Sequence, residues 1–471
     1  MALRWMQAKK TRVKRIRRRR RRRRGGELRA KAPHSGYHYD GLPRRFFEGW
    51  YFKVSLPGGD AFAFMYSVED PALAMSADRG VGVQVMGPGD TYLCEYARDT
   101  RGFSADTREL ALSHVFGTSR AAAPIEDDVP PHERFVDAET FLNEITTGAV
   151  VTKANQHCGR IRSKVTRAED VIGQRRSDSS VAAGLGPSSS ASSDDDDEEE
   201  CIWSFTIEPR VSYGRSTGGW LSSVPLVFDP HWQVLISDGV VVNGFITWRG
   251  ETYSLGPSNR VYAEKNWGGS FPTKWFWVQC NSCWTRTQSD EEGDADQLSS
   301  LAVTAGGGVR QLPLTATRED VALITVHADG EVFEFVPWRG AVGWEITQWG
   351  EWTIDAETRT QDGRELHASL TASTDGPGVV LCAPASDGGL RPMCRDAFRG
   401  RVRLRIVDTG TGRVVIDASS IGAALEVGGG PWFGTWKSES NMSEALRAIL
   451  NLPIVDQLST SLPSFLLPPG L

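Results

Sequence analysis

Large apolar side chains recur at every second position along much of this chain, in short runs broken by Gly, Pro and Asp, which is the pattern of strands with one buried face. Trp50 to Leu56 alternates in this way, turns at Pro57-Gly58-Gly59-Asp60 and returns as Ala61 to Val68, where Phe62, Phe64 and Tyr66 share a face; this predicts a hairpin. Val81 to Met86 with Thr91 to Tyr96, and Phe245 to Trp248 with Thr252 to Leu255, predict two more. In the second half, Leu323 to Val326 and Glu331 to Val336 flank Asp329-Gly330, and Val402 to Val407 pairs with Arg413 to Ile416 across a Gly-rich turn. Helical periodicity is scarce and clearest over Ser443 to Leu450, with Ser443 as N-cap and Pro453 ending the run. The pattern therefore predicts a mainly β, antiparallel fold with few short helices. At 471 residues the chain is too long for one small barrel or sandwich, so two barrels in tandem are expected, each able to hold an apolar ligand.

Two stretches break the pattern. Residues 1–31 contain Arg17 to Arg24 without interruption and read as a basic tail of the transit-peptide type. Residues 177–200 are Ser/Ala/Gly-rich, end in Asp194 to Asp197 and Glu198 to Glu200, and lack the apolar side chains that would offset ordering, so they read as a disordered acidic insertion. The expected layout is a tail over 1–31, a first barrel over 32–255 that carries the insertion, and a second barrel over 256–471. Phe47-Glu48-Gly49-Trp50 and Glu264-Lys265-Asn266-Trp267, each an acid shortly before a Trp, suggest that the second barrel repeats the opening of the first.

Composition changes the picture in three ways. With 40% hydrophobic and 24% charged residues, the chain is globular rather than fibrous or disordered. The tail carries a net +15 against −6 for the whole, so the body holds −21 and would repel polyphosphate; nucleic acid is not an expected partner. Seven scattered cysteines form no disulfide framework, and Cys280-x-x-Cys283 lacks the second pair of a zinc site, so no metal is expected. No apolar run reaches the roughly 18 residues of a membrane span.

Nor is there a nucleotide fingerprint: the Gly80/Gly82 and Gly410/Gly412 pairs do not open a helix after a strand. His-Glu-x-x-His and Gly-x-Ser-x-Gly are absent, which leaves ordinary acids and bases. Two clusters set such groups among aromatics. One runs from His34 through His38 and Asp40 to Glu48, Trp50 and Tyr51; the other combines Asp229-Pro230-His231-Trp232 with Tyr262-Ala263-Glu264-Lys265-Asn266-Trp267 and Trp275-Phe276-Trp277. A carboxyl among rings is poorly solvated, so its pKa rises and it keeps a proton to donate. The plainer reading makes Glu264 an ion-pair partner of Lys265, Glu48 one of Lys53 or Arg44, both histidines structural donors, and the aromatic strands core.

The strings PHSGYHYDGLPRRFFEGWYFKVSLP, FAFMYSVEDPA, DPHWQVL and YAEKNWGGSFPTKWFWVQCN closely resemble the plant and algal tocopherol cyclases. The resemblance implies two lipocalin-like barrels and a chloroplast enzyme associated with plastoglobules and thylakoids at a lipid-body surface. Its reaction would close the chromanol ring of prenylated benzoquinols with phytyl or geranylgeranyl tails, and would use no cofactor. It is similar, more distantly, to carotenoid hydratases, which also protonate an isoprenoid alkene. The expected roles are Glu264 as general acid, His231 as its partner or as base for the phenol, and Trp232, Trp267, Trp275 and Trp277 as a cage for the cation. Glu48, Asp40 and His38 form a reserve set, with Trp50 and Tyr51 as further substrate wall. A non-catalytic carrier of prenylquinones or carotenoids, and an alkene hydratase, are the rival readings. The uncharged C-terminal segment 457–471 is a candidate for docking on lipid.

Overall fold

The computed structural model describes residues 36–71, 79–107, 109–118, 145–152, 155–164, 198–211, 230–286, 301–311, 318–347, 349–360, 362–385, 388–429 and 434–451. The basic tail, the insertion up to residue 197, and segment 457–471 lie outside these residues.

The alternating runs become strands. The first sheet holds β1 (Phe47–Ser55), β2 (Ala61–Glu69), β3 (Gly80–Gly87), β4 (Thr91–Ala97), β5 (Phe103–Ala105), β6 (Leu112–Thr118), β7 (Ile145–Thr152), β8 (Gln156–Lys164), β9 (Glu198–Val211), β10 (His231–Trp248), β11 (Glu251–Leu255) and β12 (Arg260–Gly268). The second holds β13 (Lys274–Cys280), β14 (Trp284–Arg286), β15 (Ala302–Gln311), β16 (Arg318–Ala328), β17 (Glu331–Phe335), β18 (Val342–Ile346), β19 (Glu351–Arg359), β20 (Glu365–Ser373), β21 (Val379–Pro384), β22 (Leu390–Asp408), β23 (Val414–Gly428) and β24 (Trp436–Glu439). Helix α1 (Glu444–Leu450) follows, where the 3.6-residue period placed it. All the strand pairings are antiparallel, and the five expected hairpins are β1–β2, β3–β4, β10–β11, β16–β17 and β22–β23.

The strand order of the first sheet is β4-β3-β2-β1-β12-β10-β9-β8-β7-β6-β5, with β11 on β10. The second runs β17-β16-β15-β13-β23-β22-β20-β19-β18-β24, with β14 on β23 and β21 on β22. Each sheet curls until distant strands meet. In the first, β4 reaches β8, where Glu95 accepts the Arg162 N–H at 3.3 Å. In the second, β16 meets the chain beyond β24, with the Ala322 N–H donating to Ser440 Oγ at 3.1 Å. Inside the first curl pack Phe52, Phe62, Phe64, Tyr66, Trp203 and Trp248; inside the second, Phe276, Trp284, Phe335, Trp344 and Trp352. Burying each such ring contributes about 1.5–3 kcal/mol. A third cluster lies between the sheets and joins Ala63, Met86, Tyr92 and Tyr262 of the first to Trp275, Trp277, Leu381 and Phe398 of the second.

Three expectations change. The junction is not at 255/256: β12 belongs to the first sheet, which passes to the second between Gly268 and Lys274. Glu48 and Glu264 do not open successive repeats, because β1 and β12 pair with each other, Tyr51 opposite Glu264 and Trp50 opposite Lys265. The two Trp-bearing strings resemble each other as neighbouring central strands, each buried on both faces. Finally, Glu198–Glu200 are not part of a disordered insertion but begin β9, where Glu200 pairs with Arg162 at 2.9 Å and Glu199 with Arg249. Those cations remove the repulsion that would otherwise keep an acidic run out of a strand.

Candidate active site

β12 is the strand from which the site is built. Successive side chains of a strand point to opposite faces. Val261, Ala263 and Trp267 accordingly enter the first core, whereas Tyr262 joins the cluster between the sheets. Glu264 shares the face of Tyr262, toward the seam; Lys265 shares the face of Trp267, toward the barrel interior. Neighbours in sequence, these two do not pair.

The Glu264 carboxyl is ringed by donors. Its Oε2 accepts from Tyr262 Oη at 2.6 Å, Trp232 Nε1 at 2.8 Å and Trp277 Nε1 at 3.1 Å; its Oε1 accepts from Asn266 Nδ2 at 3.4 Å. Tyr262 shares its face two residues away, Trp232 comes from β10, and Trp277 comes from the second sheet. Burial pushes the carboxyl above its ordinary value, and the four hydrogen bonds hold that rise back. The result is an acid whose anion is stabilised in a water-poor place.

Around it lies a cleft of about 180 Å³ between the sheets. Tyr51, Trp232, Phe271, Trp275 and Trp277 supply the flat walls. Gly306, Gly307 and Gly308 of β15 supply the room: a Cβ at Gly306 would stand 3.2 Å from the Trp232 ring, and one at Gly307 would stand 2.5 Å from the Phe276 ring. A second carboxyl, Glu426 of β23, lines the same cleft and accepts the Trp275 indole N–H. Burial, first, and the nearby Glu264 push Glu426 up to about 7, against the hydrogen bond from Trp275.

The other charged cluster sits on the opposite face of the first sheet. Lys265 Nζ donates to Glu48 Oε1 at 2.6 Å and to the Gly36 carbonyl at 2.6 Å, and lies 5.0 Å from the Trp267 ring centre. The His38 backbone N–H donates to Glu48 Oε2 at 2.8 Å, and its Nδ1 meets Oε1 at 3.2 Å. Burial alone would raise Glu48, but Lys265 and His38 outweigh it and hold the carboxyl below its usual range. Burial and Lys265 together lower His38 to about 4, so its ring is neutral at pH 7. This group ties β1, β12 and the chain before β1 together.

The structure thus divides the residues singled out by sequence. Glu264, Trp232, Trp275, Trp277 and Tyr51 meet at the cleft. Trp50 and Trp267 belong to the first core instead. His231 is not placed beside Glu264: it lies opposite Trp267 in the register and stacks on that ring with centres 4.8 Å apart, on the other face of the sheet. His38 stacks on Trp267 at 4.0 Å. Asp40 is exposed and pairs with Arg44 at 3.0 Å, away from the cleft. Sequence reasoning placed Tyr262 in the second cluster without a role of its own and missed Glu426. Tyr262 was legible as the same-face neighbour of Glu264, and Glu426 as a lone acid in the apolar run Ala423-Ala424-Leu425-Glu426-Val427.

Comparison with known proteins adds to this geometry. A family model described as tocopherol cyclase-like matches residues 44–429. A rice protein (Oryza sativa subsp. japonica) named "Probable tocopherol cyclase, chloroplastic" is 36% identical over 465 residues, covering 94% of this chain and 87% of its own. The maize (Zea mays) "Tocopherol cyclase, chloroplastic" is 35% identical over 465 residues, covering 94% and 86%. Among solved structures, kievitone hydratase from Nectria haematococca aligns over 84% of this chain and 92% of its own, at 9% identity and a TM-score of 0.39. With the family model spanning both sheets and two such relatives matched over nearly their whole length, this chain belongs to the tocopherol cyclase-like family.

Proposed function

We propose that this enzyme is a cyclase that closes the chromanol ring of prenylated benzoquinols, giving tocopherols or tocotrienols. The observation that carries the reading is the Glu264 carboxyl, buried in an aromatic cleft with its anion held by Tyr262, Trp232 and Trp277. In this reading Glu264 gives its proton to the CH end of the first double bond of the tail, leaving a tertiary cation at the neighbouring carbon. The phenol oxygen attacks that carbon, its proton departs, and a six-membered ring results. Substrate and product are isomers, so no electron carrier enters the balance.

The aromatic walls fit the charge that develops. Indole faces stabilise a cation by about 0.5–2 kcal/mol each, and a cleft poor in water keeps the cation from being captured as an alcohol. The relatives' names support a chloroplast setting. The finer placement, at plastoglobules or thylakoids through segment 457–471, belongs to the same proposal and is tested by deleting that segment and measuring flotation with lipid droplets.

The decisive experiment incubates the protein with a phytyl benzoquinol in deuterated buffer. The expected product is a chromanol isomeric with the quinol apart from one carbon-bound deuterium. Quinol returned unchanged would support the carrier, and solvent oxygen in the product the hydratase. Glu264→Gln is expected to abolish turnover while near-ultraviolet circular dichroism stays native; wild-type rates in that variant would remove Glu264 from the mechanism.

A further inference from the structure

The ring closure described above leaves one proton without a destination, and the cleft contains one carboxyl without a task. Glu264 projects from the first sheet; Glu426 projects from β23 of the second, so the cleft has a carboxyl on each wall. Their surroundings differ. Glu264 accepts from four side-chain donors, Glu426 from the Trp275 indole. Tyr51, opposite Glu264 in the β1–β12 register, adds a hydroxyl that is out of solvent and has no hydrogen-bond partner among the described residues.

Adding H and O across a flat double bond needs an acid and a base. When the proton arrives on one face and the oxygen on the other, the two groups belong on opposite walls. We propose that Glu426 is the base of this reaction, taking the phenol proton as the ring closes while Glu264 supplies the proton to the alkene. The assignment rests on the cyclase reading.

The step balances. The π pair of the alkene bonds to the proton of Glu264, and a lone pair of the phenol oxygen bonds to the resulting cation. The O–H bonding pair stays on oxygen as the proton passes to Glu426. The chromanol leaves with Glu426 protonated and Glu264 ionised, and one transfer between them, with the Tyr51 hydroxyl at hand, restores the start. The donor sets fix the strengths: four donors make Glu264 the stronger acid, and burial with one indole makes Glu426, at about 7, the stronger base, so the shared proton rests mainly on Glu426 and turnover passes through the less populated form that has it on Glu264. The groups that bear on Glu426 are Glu264 on β12, Tyr51 on β1, and Asp396 and Cys394 on β22, of which Asp396 is its cross-strand neighbour and is itself approached by Lys53 of β1.

Such a pair works with one proton shared between its members. Turnover therefore falls as pH rises through about 7 and the pair empties, and falls again in acid when both are protonated.

The test uses the full chain and its E264Q, E426Q and W275F variants with a phytyl benzoquinol in deuterated buffer, following both the chromanol and the recovered quinol by mass. E426Q is expected to slow chromanol formation about 10²–10⁴-fold. The residual chromanol should still carry one carbon-bound deuterium, because Glu264 continues to protonate the alkene. E264Q should stop turnover. Wild-type chromanol rates in E426Q would overturn the assignment. W275F keeps the carboxyl but removes the donor that favours its anion, so the alkaline limb of the pH profile should move upward; an unmoved limb would also overturn it. A wild-type chain that forms no chromanol would instead defeat the cyclase reading itself, before any variant is compared.

Discussion

At the scale of single residues, the fate of a charge depends on which face of a strand carries it. Lys265 stands next to Glu264 in sequence, which made an ion pair the plain expectation for Glu264. The pleat gives Lys265 to Glu48 across the β1–β12 pair and leaves Glu264 to indole and phenol donors. That exchange needs the pairing of two strands more than two hundred positions apart, which no local pattern contains, whereas the aromatic setting of Glu264 was legible in its neighbours. Removing one member of a buried ion pair strands the other charge, at about 3–5 kcal/mol. Glu48→Gln is accordingly expected to lower stability by that order. Glu264→Gln, which leaves no cation behind, should lower it by much less. Urea midpoints of the two variants at pH 7 check the order; equal losses would mean that the Glu48 cluster does not lock the strands.

At the scale of elements, hairpins were readable because their alternation and turn residues lie together in sequence. The sheet boundary was not, since β12 read as the opening of a second barrel and only its pairing with β10 and β1 assigns it to the first sheet. Aromatic rings laid over glycines are a recurring device in both sheets. Trp203 covers Gly159, Trp248 covers Gly87 and Trp275 covers Gly428, each ring occupying the space a Cβ would need. At Gly428 that Cβ would fall 2.0 Å from the Trp275 ring. Gly428→Ala should therefore push Trp275 off its strand at about 1–3 kcal/mol of stability. It should also lower kcat, because the displaced indole no longer meets Glu426. Steady-state kinetics beside thermal melts separate the two effects, and an alanine variant with native kcat would show that the ring can settle elsewhere without disturbing the carboxyl.

At the scale of the whole molecule, the site belongs to neither sheet. Glu264, Tyr262 and Trp232 come from the first sheet, Trp277, Trp275 and Glu426 from the second, and the glycines of β15 open the gap between them. Two tandem barrels were legible from length and period, but not that the candidate cleft would lie between them rather than inside one. Each interior is filled by its own aromatics, which accords with the candidate cleft lying at the seam. A chain divided between Gly268 and Lys274 is thus expected to give halves that keep their strand signal by circular dichroism, while neither alone forms chromanol. Activity in the first half by itself would place the reaction inside that barrel.

The way β1, β12 and β13 are linked has a consequence for how such a chain can change over generations. Adding one residue to β12 would turn Glu264 toward the barrel and Lys265 toward the cleft, reversing the sign of the site at a single stroke. The long acidic stretch falls elsewhere in the sequence, between the end of β8 and the start of β9, and so leaves the count of residues in β12 untouched. Length is therefore cheap to gain between strands and ruinous within β12: a lineage can lengthen its loops freely, provided that it never miscounts the few strands at the seam.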